Sequence, residues 1–354
     1  MASERTSSKA RRKRPNLRLL RQILSTNPHV VGYSEILQPE EVKGRPSGRM
    51  AIRIYVDRKI AKRGLPVSQR LPDEIDGIPV DVIAIGIPTQ MQLTATAPPS
   101  GGVPTPAAHR LKYRPMVGGI SVGPRLRPES GTLGYFLVGP PHARPQNPPC
   151  DWYILSCAHV LEPEIPGGRE VIQPGATDHG RYPDEAVGIE TEFTYDDMDA
   201  AVARIDEGAA GQILDLVAPV GTASPRSGME VAKSGRTTGV TDGEIIDANL
   251  TITALHGPGR QYTRVILIRT GIRGEPFCAQ GDSGSLVVQR LRRRAVGLLF
   301  AASDDLPLLP TGERSFRLGY AFPIARVLRA FPNRRIVAAG SHYPVPDPCV
   351  GGFI

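Results

Sequence analysis

The sequence predicts a mainly β protein with a small α/β module at its front. Three observations carry that expectation. Apolar runs are short and numerous from residue 116 onward. The stretch 50–56 alternates, with Ile52, Ile54 and Val56 on one face and Arg53 and Tyr55 on the other, as a half-buried strand should. Between these regions lies a passage with Pro88, Pro98, Pro99, Pro104, Pro106 and Pro115 around Ser100, Gly101 and Gly102, which is a linker by composition. At 354 residues the chain has room for two or more domains of ordinary size.

In order, residues 1–15 are polar and basic without apolar periodicity and read as a disordered arm. Up to residue 21 the chain carries Arg5, Lys9, Arg11, Arg12, Lys13, Arg14, Arg18 and Arg21 against Glu4 alone, so nearly all of the formal charge of +8 sits there. The balanced remainder argues against a nucleic-acid-binding body and leaves residues 1–21 as an attachment point for an acidic partner. A short helix is expected from Asn16, with Leu17, Leu19, Leu20, Ile23 and Leu24 opposed to Arg18, Arg21 and Gln22, and with Asn27 and Pro28 stopping it. Packing on its own domain is preferred over docking on an acidic surface. Strands over 30–37, 50–56 and 78–87 complete a module spanning 16–88, with the linker at 89–115.

Strand-like runs then follow at 116–123, 131–138 and 152–155, the last two separated by a proline-rich exposed loop over 139–149. Further runs lie at 170–172, 186–193 and 196–205, and 216–225 reads as a crossover. Beyond it come 229–234, 240–253, 263–270, 285–288, 295–301 and 320–322. Residues 323–331 form a closing helix that starts on proline, where a missing N–H costs least. Residues 336–354 are a tail. Arg290, Arg292, Arg293 and Arg294 sit on a hairpin tip, read as a solvated turn rather than a site for an acidic partner.

Chemistry concentrates in Gly281, Asp282, Ser283, Gly284 and Ser285, a serine on a tight, glycine-bracketed turn. A serine hydroxyl is a weak nucleophile at neutral pH, so it needs an imidazole to take its proton and a carboxylate to orient that imidazole. The imidazole candidate is His159, just past the apolar run 152–155. The carboxylate candidate is Asp199. Asp196 and Asp197 are rivals, but Asp199 alone heads the apolar run Ala200, Ala201, Val202, Ala203 that would hold it buried.

The order His159, Asp199, Ser283, together with the segment Lys233, Ser234, Gly235, Arg236, Thr237, Thr238, Gly239, Val240, Thr241, Asp242, Gly243, resembles the trypsin- and chymotrypsin-like serine peptidases of the bacterial type. The resemblance runs over about residues 115–335. It implies two six-stranded antiparallel β-barrels of the chymotrypsin type, at 116–222 and 223–335. It implies a serine-type endopeptidase acting on protein or peptide through an acyl-enzyme, with His159, Asp199 and Ser283 as the triad and the N–H groups of Gly281 and Ser283 as the oxyanion hole. Neither metal nor cofactor is expected. Phe277 would sit at the base of the primary pocket, Phe300 and Ala302 on its walls, and Cys278 and Gln280 at its rim, which selects a small or apolar residue before the scissile bond. Trypsins free a Val-Gly-Gly N-terminus to pair with the aspartate before the serine. Here Arg114 precedes Pro115, so no such cut is expected before Met116, Val117, Gly118, Gly119, and Asp282 should find another partner. The alternative is a catalytically silent or latent adaptor whose basic arm binds an acidic partner or nucleic acid; an esterase using the same triad is the third reading.

Cys150, Cys157, Cys278 and Cys349 are too few and scattered for a disulfide framework and are read as reduced thiols. The spacing of Cys150, Cys157 and His159 fits no common zinc pattern. The apolar run 17–24 is interrupted by Arg18 and Arg21 and lacks a cleavage site, so no secretory signal is expected, and no run is long enough to span a membrane. A cytoplasmic location is the default.

Overall fold

The computed structural model describes residues 14–42, 45–91, 93–94, 107–140, 150–162, 169–254, 260–272 and 274–343. Most of the basic arm, much of the linker, the proline-rich loop over 141–149 and the tail beyond 343 lie outside the described residues. The chain divides into two compact units, Met1–Ala84 and Ile85–Ile354.

In the first unit, helix α1 (Leu17–Thr26) is capped by Asn16, whose side chain accepts from the Leu19 N–H at 3.2 Å. Its buried residues Leu20 and Leu24 join Val30, Tyr33, Ile52, Ile54, Val56, Ile75 and Ile78 in one core. The strands are β1 (Val30–Ser34), β2 (Gln38–Val42), β3 (Arg45–Val56), β4 (Glu74–Ile75) and β5 (Ile78–Ala84). β3 is central, antiparallel to β1 and β2 and parallel to β5.

The second unit opens with β6 (Thr89–Gln90) and β7 (Leu93–Thr94), then β8 (Met116–Gly118), β9 (Ile120–Pro124), β10 (Glu129–Leu133), β11 (Tyr135–Gly139) and β12 (Asp151–Ser156). After the one-turn helix α2 (Ala158–Leu161) come β13 (Glu170–Ile172), β14 (Ala186–Thr194), β15 (Ala200–Ile205) and β16 (Ala209–Ile213). Pairings run β9–β10, β11–β12–β15–β14–β13 and back to β9. β10 and β11 are two halves of one strand bent at Gly134, and with that bend the ring closes on itself. A Cβ at Gly134 would lie 2.2 Å from the Gly284 carbonyl oxygen, so only glycine fits the bend.

The remaining elements are β17 (Glu230–Gly235), β18 (Gly239–Ala254), β19 (Arg260–Thr270), β20 (Cys278–Ala279), β21 (Leu286–Gln289), β22 (Arg294–Leu306), β23 (Ser315–Pro323), α3 (Ile324–Ala330) and β24 (Arg335–Ile336). Here the order β17–β21–β22–β23–β19–β18 closes through β17–β18, an antiparallel ring around Phe277, Val287, Val296, Leu299, Ile266 and Ile268. Two such barrels in succession are the chymotrypsin architecture. Pro323 stands at the cap of α3 rather than inside it.

The reading of the cysteines as reduced thiols holds for Cys157 and Cys278 and fails at Cys150. Cys150 is disulfide-bonded, while Cys157 and Cys278 are free. Because disulfides persist in oxidising compartments, the cytosolic default loses its cysteine argument. Among the described residues no helix is long and apolar enough to cross a membrane.

Candidate active site

Strand pairing explains how His159 meets Asp199. β12 runs antiparallel to β15 with Ser156 opposite Ala201, so α2, which follows β12, lands beside the residue that precedes β15. The His159 backbone N–H donates to Asp199 Oδ1 at 3.0 Å, and Nδ1 lies 2.5 Å from Oδ2. One carboxylate therefore fixes both the main chain and the ring. With Nδ1–H engaged, Nε2 is the nitrogen left to accept a proton. It is buried and has no hydrogen-bond partner among the described residues. The rival aspartates are elsewhere: Asp197 accepts from Arg326 Nη2 at 2.8 Å, and Asp196 is exposed.

The serine turn joins β20 to β21. Gly281 and Gly284 have φ of +94° and +95°, the left-handed region that favours glycine. Ser283 is fully buried, and its Oγ donates to the Phe300 carbonyl at 3.3 Å. At rest the structure thus joins His159 to Asp199 but holds the Ser283 hydroxyl on a carbonyl, not on the imidazole.

Asp282 is buried within this turn and has found its partner. Lys233 Nζ, also fully buried, lies 3.1 Å from Oδ2. The N–H groups of Thr237 and Thr238 donate to Oδ1, and the Ala279 N–H and Thr238 hydroxyl donate to Oδ2. Burial would raise this carboxyl; the Lys233 ammonium and these hydrogen bonds outweigh it and hold Asp282 below the usual carboxylate range. An internal lysine stands where trypsins, by the resemblance, use a freed N-terminus. From the other barrel, Thr132 ties in the same turn: its N–H donates to the Ser283 carbonyl at 2.8 Å and its hydroxyl to the Gly281 carbonyl at 2.9 Å.

The cleft beside Ser283 is occupied by the chain itself. β6 pairs antiparallel with β22, Gln90 opposite Ala301 and Thr89 opposite Ala302. The Met91 carbonyl accepts from the Gly281 N–H at 3.0 Å, and the Met91 side chain is fully buried. It shares one apolar cluster with Phe277, Cys278, Ala302 and Phe316. Of the five expected pocket residues, Phe277, Cys278 and Ala302 come together there. Phe300 instead stacks its ring on Phe322 at 4.0 Å and meets Tyr262 edge-on, while Gln280 accepts the Arg314 N–H through Oε1 at 3.1 Å. Gln90 Nε2 donates to Asp199 Oδ2 at 2.5 Å, and a hollow of about 220 Å³ opens between Gln90, Glu162, Tyr195, Arg260 and Tyr262.

Ligand atoms of Cys157, His159 and Asp199 come within 4.8 Å of one another, a spacing that suits a cation. Burial, and then Asp199, push the Cys157 thiol well up, and its Sγ–H donates to the Leu299 carbonyl at 3.2 Å. A thiol held protonated is a poor metal ligand. The arrangement suits proton transfer better than coordination.

No family model and no curated protein matches the chain. Among solved structures, a chymotrypsin from Cellulomonas bogoriensis is similar at 18% identity over 63% of this chain and 98% of that chain, with a TM-score of 0.41. Protease A from Thermobifida fusca is similar at 18% identity over 63% of this chain and 98% of its own, with a TM-score of 0.43. A Nocardiopsis protease follows at 16%, 62%, 97% and 0.40 in the same order. Likeness at this level adds no argument to the one the strand order makes.

Sequence reasoning assigned no role to Lys233, Thr132, Gln90 or Met91. A lysine behind Val231 and Ala232 in a strand-like run was a usable signal for the first. Met91 and Leu93, the only large apolar residues among the small and polar ones of 89–97, were the signal for the last.

Proposed function

We propose that the chain is a serine endopeptidase acting through His159, Asp199 and Ser283 on extended peptides with a small or apolar residue before the scissile bond. In this reading Ser283 Oγ attacks the carbonyl carbon while His159 Nε2 takes its proton, then returns it to the leaving amine. Asp199 is a positioning residue that fixes the tautomer and stabilises the imidazolium. The Gly281 and Ser283 N–H groups hold the oxygen as it gains charge. The resulting ester is released by water.

The observation that carries the reading is the edge of β22. It accepts an extended main chain as an added strand, and the carbonyl at the end of that strand rests on the Gly281 N–H. An esterase has no need of such an edge, and a scaffold has no need of an oriented N–H at its end. The adaptor reading rests on the arm, of which residues 1–13 lie outside the described residues. The test is fluorophosphonate labelling with Ser283→Ala as control, followed by turnover of a denatured protein substrate. The expected result is one label, at Ser283, with turnover lost in the alanine variant. A chain that neither labels nor cleaves, even with Met91→Asp to empty the cleft, sinks the proposal.

A further inference from the structure

The segment that fills the cleft lies there as a substrate would, on both sides of one peptide bond. Upstream, Thr89 and Gln90 extend β22 as an antiparallel strand, and the Ile85 carbonyl accepts from the Ser303 hydroxyl farther along β22. Downstream, Leu93 and Thr94 pair antiparallel with Ser130 and Glu129 of β10, on the opposite barrel. Between the two pairings the Met91 carbonyl meets the Gly281 N–H, and the Met91 side chain fills the apolar cluster of Phe277, Cys278, Ala302 and Phe316. A chain merely crossing the surface has no reason to satisfy all three. The stretch 89–97 also contains neither proline nor glycine, although the flanks on both sides are rich in them, so it is the part of the linker best suited to extended pairing.

We propose that the chain is its own substrate and that Ser283 cleaves, within the same molecule, the peptide bond following Met91. The inference rests on the endopeptidase reading. Ser283 Oγ leaves the Phe300 carbonyl by a side-chain rotation and attacks the Met91 carbonyl carbon, its proton passing to His159 Nε2. The oxyanion forms on the Gly281 N–H. Collapse breaks the bond from the Met91 carbonyl carbon to the nitrogen of residue 92, and that nitrogen leaves as an amine with the proton from His159. The Met91–Ser283 ester is then hydrolysed, leaving a carboxylate on Met91, so the net change is addition of one water. Before the cut, the segment covers the machinery: Ser283 is fully buried and His159 is 3% exposed. The cut leaves the segment without its covalent tether across the cleft, and turnover of other peptides begins with the loss of residues 85–91 from β22.

The experiment is intact mass analysis of the full chain, reduced, as wild type, Ser283→Ala, Met91→Leu and Met91→Asp. The expected result is two polypeptides, 1–91 and 92–354, from wild type and from Met91→Leu, whose masses add to the intact chain plus one water. Ser283→Ala and Met91→Asp remain single chains. The rate of cutting is independent of protein concentration, and added wild type does not cut Ser283→Ala. Met91→Asp labels with a fluorophosphonate faster than Ser283-competent chain still uncut. A wild-type chain that labels at Ser283 and cleaves other peptides yet stays whole overturns self-cleavage and leaves the endopeptidase reading standing. A cut at another bond, or the same cut in Ser283→Ala, overturns it too. A chain that stays whole, with neither it nor Met91→Asp labelled, removes both readings.

Discussion

Replacing Lys233 by methionine isolates the internal cation. The substitution keeps the buried stem but leaves the Asp282 carboxylate without a counter-charge in a fully buried site. Removing one partner of a buried pair costs about 3–5 kcal/mol. Asp282 keeps the N–H groups of Thr237, Thr238 and Ala279 and the Thr238 hydroxyl, which places the expected loss at the low end, about 3 kcal/mol. That is roughly a hundredfold in the folding equilibrium. The assay is urea denaturation in a Ser283→Ala background, followed by the fluorescence of Trp152, the single tryptophan of the chain, which is buried in the first barrel. In the parent, the folded Asp282 carboxyl is depressed, so its contribution is present above the unfolded value of about 3.9 and lost as pH falls through the lower folded value. Without the cation, burial dominates and raises the carboxyl, so the variant protonates earlier and its deficit narrows on going from pH 7 to pH 5. Adding Asp282→Asn should recover part of the loss at pH 7. A deficit below about 1 kcal/mol, or one that does not change between the two pH values, would refute the account.

Three further outcomes follow from the same geometry. Asp199→Asn leaves Nδ1 without its acceptor and should lower kcat by about 10⁴-fold with little change in KM, read by steady-state kinetics. Gly281→Ala places a methyl 2.5 Å from Thr237 Oγ1 at a φ of +94°, so the turn must shift; kcat should fall about 10²-fold or more as the oxyanion donor moves. Ala302→Phe overfills the cluster that takes Met91 and should cost about 1–3 kcal/mol in denaturation while slowing the self-cut, read by intact mass.

Much of the architecture could be read from alternation and turn residues, because each barrel strand carries its own apolar signal. Which of Asp196, Asp197 and Asp199 is buried against His159 was legible too, since only Asp199 heads a run that must be buried. What escaped was decided by contacts distant along the chain. Nothing local to Lys233 announces a partner 49 residues on, and nothing in a linker composition says that Met91 will rest on Gly281. Of the residues expected to line a pocket, Phe277, Cys278 and Ala302 share one apolar cluster, whereas Phe300 packs its ring on Tyr262 and Phe322.

The bracing of the serine turn by Thr132 bears on when the proposed site can form during synthesis. Both of its hydrogen bonds come from the barrel that is synthesised first, yet the turn they hold is translated late, and β22 and β23 that complete its ring follow later still. A nascent chain on the ribosome therefore carries His159 and Asp199 before the turn of Ser283 is held. By the time Ser283 is seated between the halves, residues 89–91 have long been available to lie beside it, so under the endopeptidase proposal the order of translation delays cleavage of neighbouring polypeptides until folding is complete.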